Sequence, residues 1–577
     1  MLVTGIAVIV VAAPLVGRSN YSLDFVNHLW LAWAAGKMLV QAGHPTYFIN
    51  TTTQGVFNPW LAFYGGTLMD TTGAIAELTR HPYLAYAGVT VIAIVAAYVG
   101  TVSIARQFGI HGLIAHAPAL CVVTSAYYIT DLYQRGAWSE FMALSAIPPL
   151  VASGIYLIRA SNWPPAVVLV FTVSAVVLSG SHNITLLWSV TIGVLVLLVM
   201  WLVLGRPRHL PYRRLAMVGA LGVLAALVNA WFLVTDVVYA RDTFAATYKT
   251  IVVGAVAAWD TPGNLFDPFR AAPVIPMFPW IYVQVPDWFL VWGVLAGLAL
   301  AWSRRAGERL RRVWAGWLIV IAIVLAMIID TSFWSQAPYP FREIQFPFRL
   351  NGYVLFAVAG VVLVGALAVQ QADAWARRPR SVLPLQFALV AVAAVSLALC
   401  LWQEWVPSTS GPGYVNRHAA FVSPNALPPS WYDPGSFVDH SAPVVAVPPG
   451  RVLTIPPGQV RGDRFAGLVD VPSGLQPIQT NIAGGDYVVA ISGLRWVGRS
   501  ASGYAVVRRL RNGTGPVRVV IDTARTAAMV LGSILSVVAI VALLVILVCA
   551  TVVSRRASRA RPATSEPTDG LEAVPGA

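Results

Sequence analysis

Stretches of about 20 apolar residues recur along the chain, separated by shorter segments rich in arginine, glycine and proline. As a helix, each stretch is long enough to cross roughly 30 Å of hydrocarbon. The pattern predicts twelve spans, at 2–17, 84–105, 112–130, 138–158, 164–180, 183–204, 215–235, 286–303, 313–330, 350–370, 383–402 and 527–552. The first lacks a charged flank and a good cleavage site, so it reads as an uncleaved helix. Segment 23–42 is apolar around most of its circumference, with a polar corner at Asp24, Asn27 and His28, and reads as a helix lying at the outer membrane interface. Between 403 and 525 the pattern changes. Alternating runs such as Arg451 to Pro456, Tyr487 to Ile491 and Val517 to Ile521, set between Pro and Gly turns, predict short strands.

The fold class that follows is an all-α polytopic membrane protein of about 12 transmembrane helices with a small extracytoplasmic β domain before the last helix. Residues 1–402 form the transmembrane domain, 403–525 the β-rich domain, 526–552 the last helix and 553–577 a polar, disordered cytoplasmic tail.

Composition supports this and removes alternatives. Hydrophobic residues make up 57% and charged residues 11%, against roughly 25% charged in a soluble domain. The net charge of +14 reports topology before it reports any anionic partner. With the N-terminus inside, the inner segments collect Arg106, Arg159, Arg206, Arg208, Arg213, Arg214, the cluster from Arg304 to Arg312, Arg377, Arg378, Arg380 and the tail arginines from Arg555 to Arg561. Basic residues on that side place both termini in the cytoplasm. No nucleic-acid partner is implied. The three cysteines all fall in apolar spans and form no metal or redox motif.

This orientation sends the chemistry-bearing segments outside. Asp24 and His28 are four apart, so they share one helical face and are able to meet one acceptor hydroxyl or one metal. An N-cap aspartate beside a histidine at the water boundary is the structural reading of the same pair. The aromatic stretch 43–65, including Trp60, Phe63 and Tyr64, suits bilayer anchoring better than sugar stacking. Arg135 and Glu140 flank the start of the fourth span, where Arg135 suits a phosphate clamp held from behind by Glu140. An internal ion pair explains them equally well. His182 joins spans five and six at the outer face. Arg342, Gln345 and Arg349 precede span ten at headgroup level, where arginine either binds phosphate or snorkels. Asp242, Asp260 and Asp267 lie in a long outer loop.

Taken in order, Asp24 with His28, Gly43 to Pro45 followed by Asn58-Pro59-Trp60, Tyr127-Tyr128 running into Arg135 and Glu140, Ser181-His182, and Gln345 to Arg349 resemble the polytopic GT-C class of glycosyltransferases. The arrangement is similar in particular to bacterial membrane proteins of the YfhO family and those labelled 6-pyruvoyl-tetrahydropterin-synthase-related. The pterin chemistry needs a zinc site of several histidines, and the nine here form no such cluster, so that activity is not carried over.

The resemblance covers about residues 1–370. It implies a polyprenyl-phosphate sugar donor used at the outer face of the cell membrane, an envelope glycan or glycolipid acceptor, and an acid in the first outer loop acting as base. Asp24 matches that position, with His28 orienting it or the acceptor. Arg135, Arg342 or Arg349 would face the departing phosphate, with Glu140, His182 and Gln345 beside them. Some enzymes of this class use a divalent metal. Here Asp24, Glu140 and Asp242 sit on separate loops, and no metal ligand set is assigned. A transporter or flippase for lipid-linked sugars and a non-catalytic scaffold of envelope biosynthesis are the competing readings.

Overall fold

The computed structural model describes most of residues 2–239, 307–376, 442–483, 489–524 and 526–560. It leaves out 18–19, 52–54, 134, 206–210, 339–340 and 342–346, and gives scattered residues between 273 and 297 and between 391 and 416. The helices used below are α1 (Leu2–Ala12), α2 (Leu23–Ala42), α3 (Gly66–Thr79), α4 (Pro82–Gln107), α5 (Ala117–Val123), α6 (Ala126–Tyr133), α7 (Trp138–Arg159), α8 (Pro165–Ser181), α9 (Asn183–Leu204), α10 (Tyr212–Leu227), α11 (Ala230–Tyr239), α12 (Glu308–Ile329), α13 (Asn351–Ala376) and α14 (Ala527–Ala560).

Among the described residues, six helices are long and apolar enough to cross a membrane, or eight if each bent pair counts as one span. The chain is a multi-pass membrane protein. The segments expected at 84–105, 138–158, 183–204, 313–330, 350–370 and 527–552 are these six. Those at 112–130 and 215–235 are bent pairs, α5 with α6 and α10 with α11, and the latter turns by 79°. Those at 2–17 and 164–180 are shorter apolar helices, while 286–303 and 383–402 lie largely outside the described residues, as does the tail from 561. Helix α13 is buried along most of its length, whereas α14 exposes most of its apolar side chains. An apolar face of that length is stable only against lipid or protein.

Segment 23–42, expected as an interfacial helix, is a helix packed inside the protein. Helix α2 buries Phe25 through Ala32, then Ala34, Ala35 and Met38, and packs against α3, α4 and α7. A helix apolar around its circumference is a core helix. Two glycines permit its closest approach: a Cβ on Gly73 would overlap the carbonyl oxygen of Ala32, and one on Gly36 would overlap that of Gly73. Gly73→Ala is therefore expected to destabilise the protein by about 1–3 kcal/mol, the usual cost of overpacking. Thermal unfolding in detergent checks this, with Gly88→Ala as the control because nothing lies within 4 Å of a Cβ there.

The aromatic stretch is likewise interior. Tyr47, Phe48, Phe57, Trp60 and Phe63 are buried in protein, not displayed to lipid.

The strands are β1 (Asn20–Ser22), β2 (Tyr414–Asn416), β3 (Val452–Leu453), β4 (Phe465–Asp470), β5 (Ile478–Thr480), β6 (Val489–Ser492), β7 (Leu494–Arg499), β8 (Ala505–Arg509) and β9 (Pro516–Thr523). Two sheets, β3-β5-β8-β7 and β4-β9-β6, bury Ile455, Phe465, Ile478, Val489, Leu494, Val507, Val519 and Ile521. The three alternating runs noted above supply β3, β6 and β9.

The sheets attach to the loop that follows α2. Val56 N–H donates to Asn481 O at 2.8 Å, Ala483 N–H donates to Val56 O at 2.9 Å, and the Asn50 amide donates to Gly462 O at 2.8 Å. Farther upstream, β1 pairs antiparallel with β2, matching Ser22 with Tyr414 two residues before Asp24. The strand region thus meets the helical bundle at the beginning of α2 and at the loop that follows it.

Candidate active site

Asp24 occupies the first turn of α2, where the helix dipole favours a carboxylate. The side chain is half-buried, and among the described residues its carboxylate has no hydrogen-bond or ion-pair partner. Burial pushes its pKa up from 3.8 to about 6, against the pull of Arg135 and Arg349. A carboxylate with that value suits general-base work near neutral pH.

His28 does not reach the Asp24 carboxylate. Its Nδ1 lies 2.7 Å from the Asp24 carbonyl oxygen and 2.9 Å from that of Gly136. Both are acceptors, so Nδ1 carries the ring proton and Nε2 accepts from the Tyr64 hydroxyl at 2.8 Å. Burial holds His28 neutral, with its pKa lowered to about 4. The histidine therefore ties α2 to the start of α7 and fixes the Tyr64 hydroxyl. Its orienting role is directed at the backbone and at Tyr64.

Behind Asp24 lies a buried charge cluster. Arg135 donates to Asp131 at 2.5 Å, to Glu140 Oε2 from both Nη atoms at 3.3 Å, and to the Tyr127 hydroxyl at 3.2 Å. Tyr127 donates to Glu140 Oε1 at 2.5 Å, and Arg349 Nε lies 3.3 Å from Glu140 Oε2. The Arg135 guanidinium also sits 5.0 Å from the centre of the Phe348 ring. Asp131, Arg135 and Glu140 are each at least 96% buried.

With two carboxylates holding it, Arg135 is a structural cation more than a phosphate clamp. Arg349, which meets one of those carboxylates and retains 12% side-chain exposure, is the better placed cation for an incoming anion. Arg342 and Gln345 lie outside the described residues, as do Asp242, Asp260 and Asp267.

His182 caps the N-terminus of α9. Its Nδ1 accepts from the Thr185 N–H at 3.2 Å and meets the Thr185 hydroxyl at 2.8 Å, which leaves the ring proton on Nε2. Burial and the positive charge of Arg349 lower its pKa to about 3, so the ring is a neutral donor. The Tyr64 ring stacks on His28 at 5.7 Å and meets His182 edge-on at 5.8 Å, joining the two histidines.

The structure therefore gathers Asp24, His28, Arg135, Glu140, His182 and Arg349 around Tyr64. The sequence alone marked Tyr64 as a bilayer anchor and gave no role to Tyr127 or Asp131. The Asp131, Arg135 and Glu140 spacing across a helix start was the available signal for the ion cluster, since an unpaired charge there is costly. Among the described residues, no three His, Cys, Asp or Glu side chains converge as a metal site.

No family model and no curated protein matches the chain. Among solved structures, it is similar to the arabinofuranosyltransferase AftD from Mycobacteria, with 16% identity and a TM-score of 0.40 over 70% of this chain and 26% of that one. A mutant of the same protein gives 13% identity and a TM-score of 0.41 over 70% and 27%. The chain spans about a quarter of the length of those proteins.

Proposed function

We propose that this protein is a membrane glycosyltransferase that moves a sugar from a polyprenyl-phosphate donor to an envelope glycan or lipid acceptor at the extracytoplasmic face. The observation that carries the reading is the half-buried Asp24 carboxylate, without a hydrogen-bond or ion-pair partner among the described residues, beside a buried Arg-Glu cluster that includes Arg349. In the reaction, Asp24 takes the proton of the acceptor hydroxyl as its oxygen bonds to the anomeric carbon. The bond from that carbon to the phosphate oxygen breaks, and its electron pair leaves with the phosphate. Arg349 stabilises the charge that develops there. A single displacement inverts the anomeric centre and requires only one carboxylate.

The test is acceptor-dependent release of polyprenyl phosphate by the protein in lipid nanodiscs, supplied with pentofuranosyl, mannosyl, glucosyl and galactosyl donors. The base acts only when deprotonated. Release should therefore rise with pH, reach half its maximum near the Asp24 pKa of about 6 and stay level above it. His28, at about 4, is already neutral throughout that window. A rate independent of pH between about 5 and 8 would remove Asp24 as the base. Donor binding without consumption would favour transport.

A further inference from the structure

We infer that His182, Asn183 and Asp236 form a subsite that reads the hydroxyl groups of the transferred sugar; the inference rests on the glycosyltransferase reading above. The Asn183 amide donates to Asp236 Oδ2 at 2.6 Å and to the Phe63 carbonyl at 3.3 Å. Both partners are acceptors, which fixes the amide with its NH2 group toward them. The amide oxygen then lies on the other side, where it is buried and has no donor among the described residues.

On the preceding residue, His182 directs Nδ1 to Thr185. Its Nε2–H has no hydrogen-bond partner among the described residues, although the residue is 97% buried. Consecutive residues thus offer one unmet acceptor and one unmet donor, beside a half-buried carboxylate on Asp236. A sugar hydroxyl, which donates and accepts at once, satisfies such a set.

The bundle has been shaped to bring these groups together. Asn229 lies at the 79° bend between α10 and α11, and its amide donates to Val176 O at 2.9 Å and Ser179 Oγ at 2.7 Å. The bend is therefore anchored to α8, and α11 carries Asp236 to the start of α9. Phe63 and Tyr64 connect the subsite to His28 and so to the Asp24 side.

The two sides differ in chemistry. Arg349 attracts a phosphate, whereas an amide oxygen and a carboxylate repel it and accept from hydroxyls. This polarity would orient a glycosyl phosphate, with its anion toward Arg349 and its hydroxyls toward Asp236.

Equilibrium binding by the full-length protein in nanodiscs tests the assignment, using a short-chain polyprenyl phosphate and its pentofuranosyl and hexopyranosyl esters. The wild type should bind at least one sugar ester more tightly than the bare phosphate. Asp236→Asn and Asn183→Ala should each weaken that ester about tenfold, because a site built for a hydroxyl discriminates strongly when its polar set is altered, and should leave the bare phosphate unchanged. If both variants weaken the two probes in parallel, the residues merely link α9 to α11 and the subsite is overturned. Unchanged preference for the ester in both variants, or equal wild-type affinity for ester and bare phosphate, also overturns it. A wild type that binds neither probe overturns the glycosyltransferase reading as well. Should Asn183→Ala fail to fold, the isosteric Asp236→Asn decides alone.

Discussion

Asp24→Asn is expected to slow acceptor-dependent release of polyprenyl phosphate by about 10²–10⁴-fold, the range associated with losing a general base, while donor affinity stays within about threefold of wild type. The separation follows from geometry. The Asp24 carboxylate has no hydrogen-bond or ion-pair partner among the described residues, so the isosteric amide breaks no internal contact. His28 meets the Asp24 backbone carbonyl and not its side chain, so the ring, Tyr64 and the start of α7 keep their arrangement. The measurement is single-turnover release in nanodiscs, with thermal unfolding and donor binding as controls. A well-folded Asn variant that turns over at the wild-type rate excludes Asp24 as the base. Equal losses of binding and turnover would instead make Asp24 part of donor recognition.

The spans and strands were legible because their periodicities are local. Apolar runs of membrane-spanning length marked α4, α7, α9, α12, α13 and α14, and alternation marked β3, β6 and β9. The four-residue spacing of Asp24 and His28 placed both on one face of α2, but spacing alone could not say that the imidazole faces carbonyl groups. The packing of α2 inside protein also had a readable signal: its polar positions are too few for a helix with one wet face.

Tyr64 was harder to read. An aromatic near a membrane boundary has the same sequence signature whether it anchors in lipid or closes a site. Its location depends on the contact between Gly36 and Gly73, 37 positions apart in the chain. Asn183 and Asp236 meet across 53 positions through a bend whose side-chain anchors lie on another helix. Such long-range contacts leave no periodic trace.

The second large effect is on stability. Glu140→Gln is expected to destabilise the protein by about 3–5 kcal/mol, the cost of leaving a buried charge without its partner. Glu140 faces Arg135, Arg349 and the Tyr127 hydroxyl together. Asp131 still holds Arg135 in the variant, so the loss falls mainly on the contact between Glu140 and Arg349. Reversible unfolding in mixed micelles, performed as a cycle with Arg349→Gln and the double variant, measures the coupling. The double variant should recover much of the stability because both charges are removed, yet it should remain inactive because Arg349 is the cation proposed to stabilise the leaving phosphate. A Glu140→Gln protein as stable as wild type would show that the pair carries little energy. Recovery of activity together with stability would place the phosphate elsewhere. The cycle thus separates Arg349 as partner of Glu140 from Arg349 as ligand of the donor, two roles that the same guanidinium must reconcile if it is to release part of its hold on the carboxylate when an anion binds.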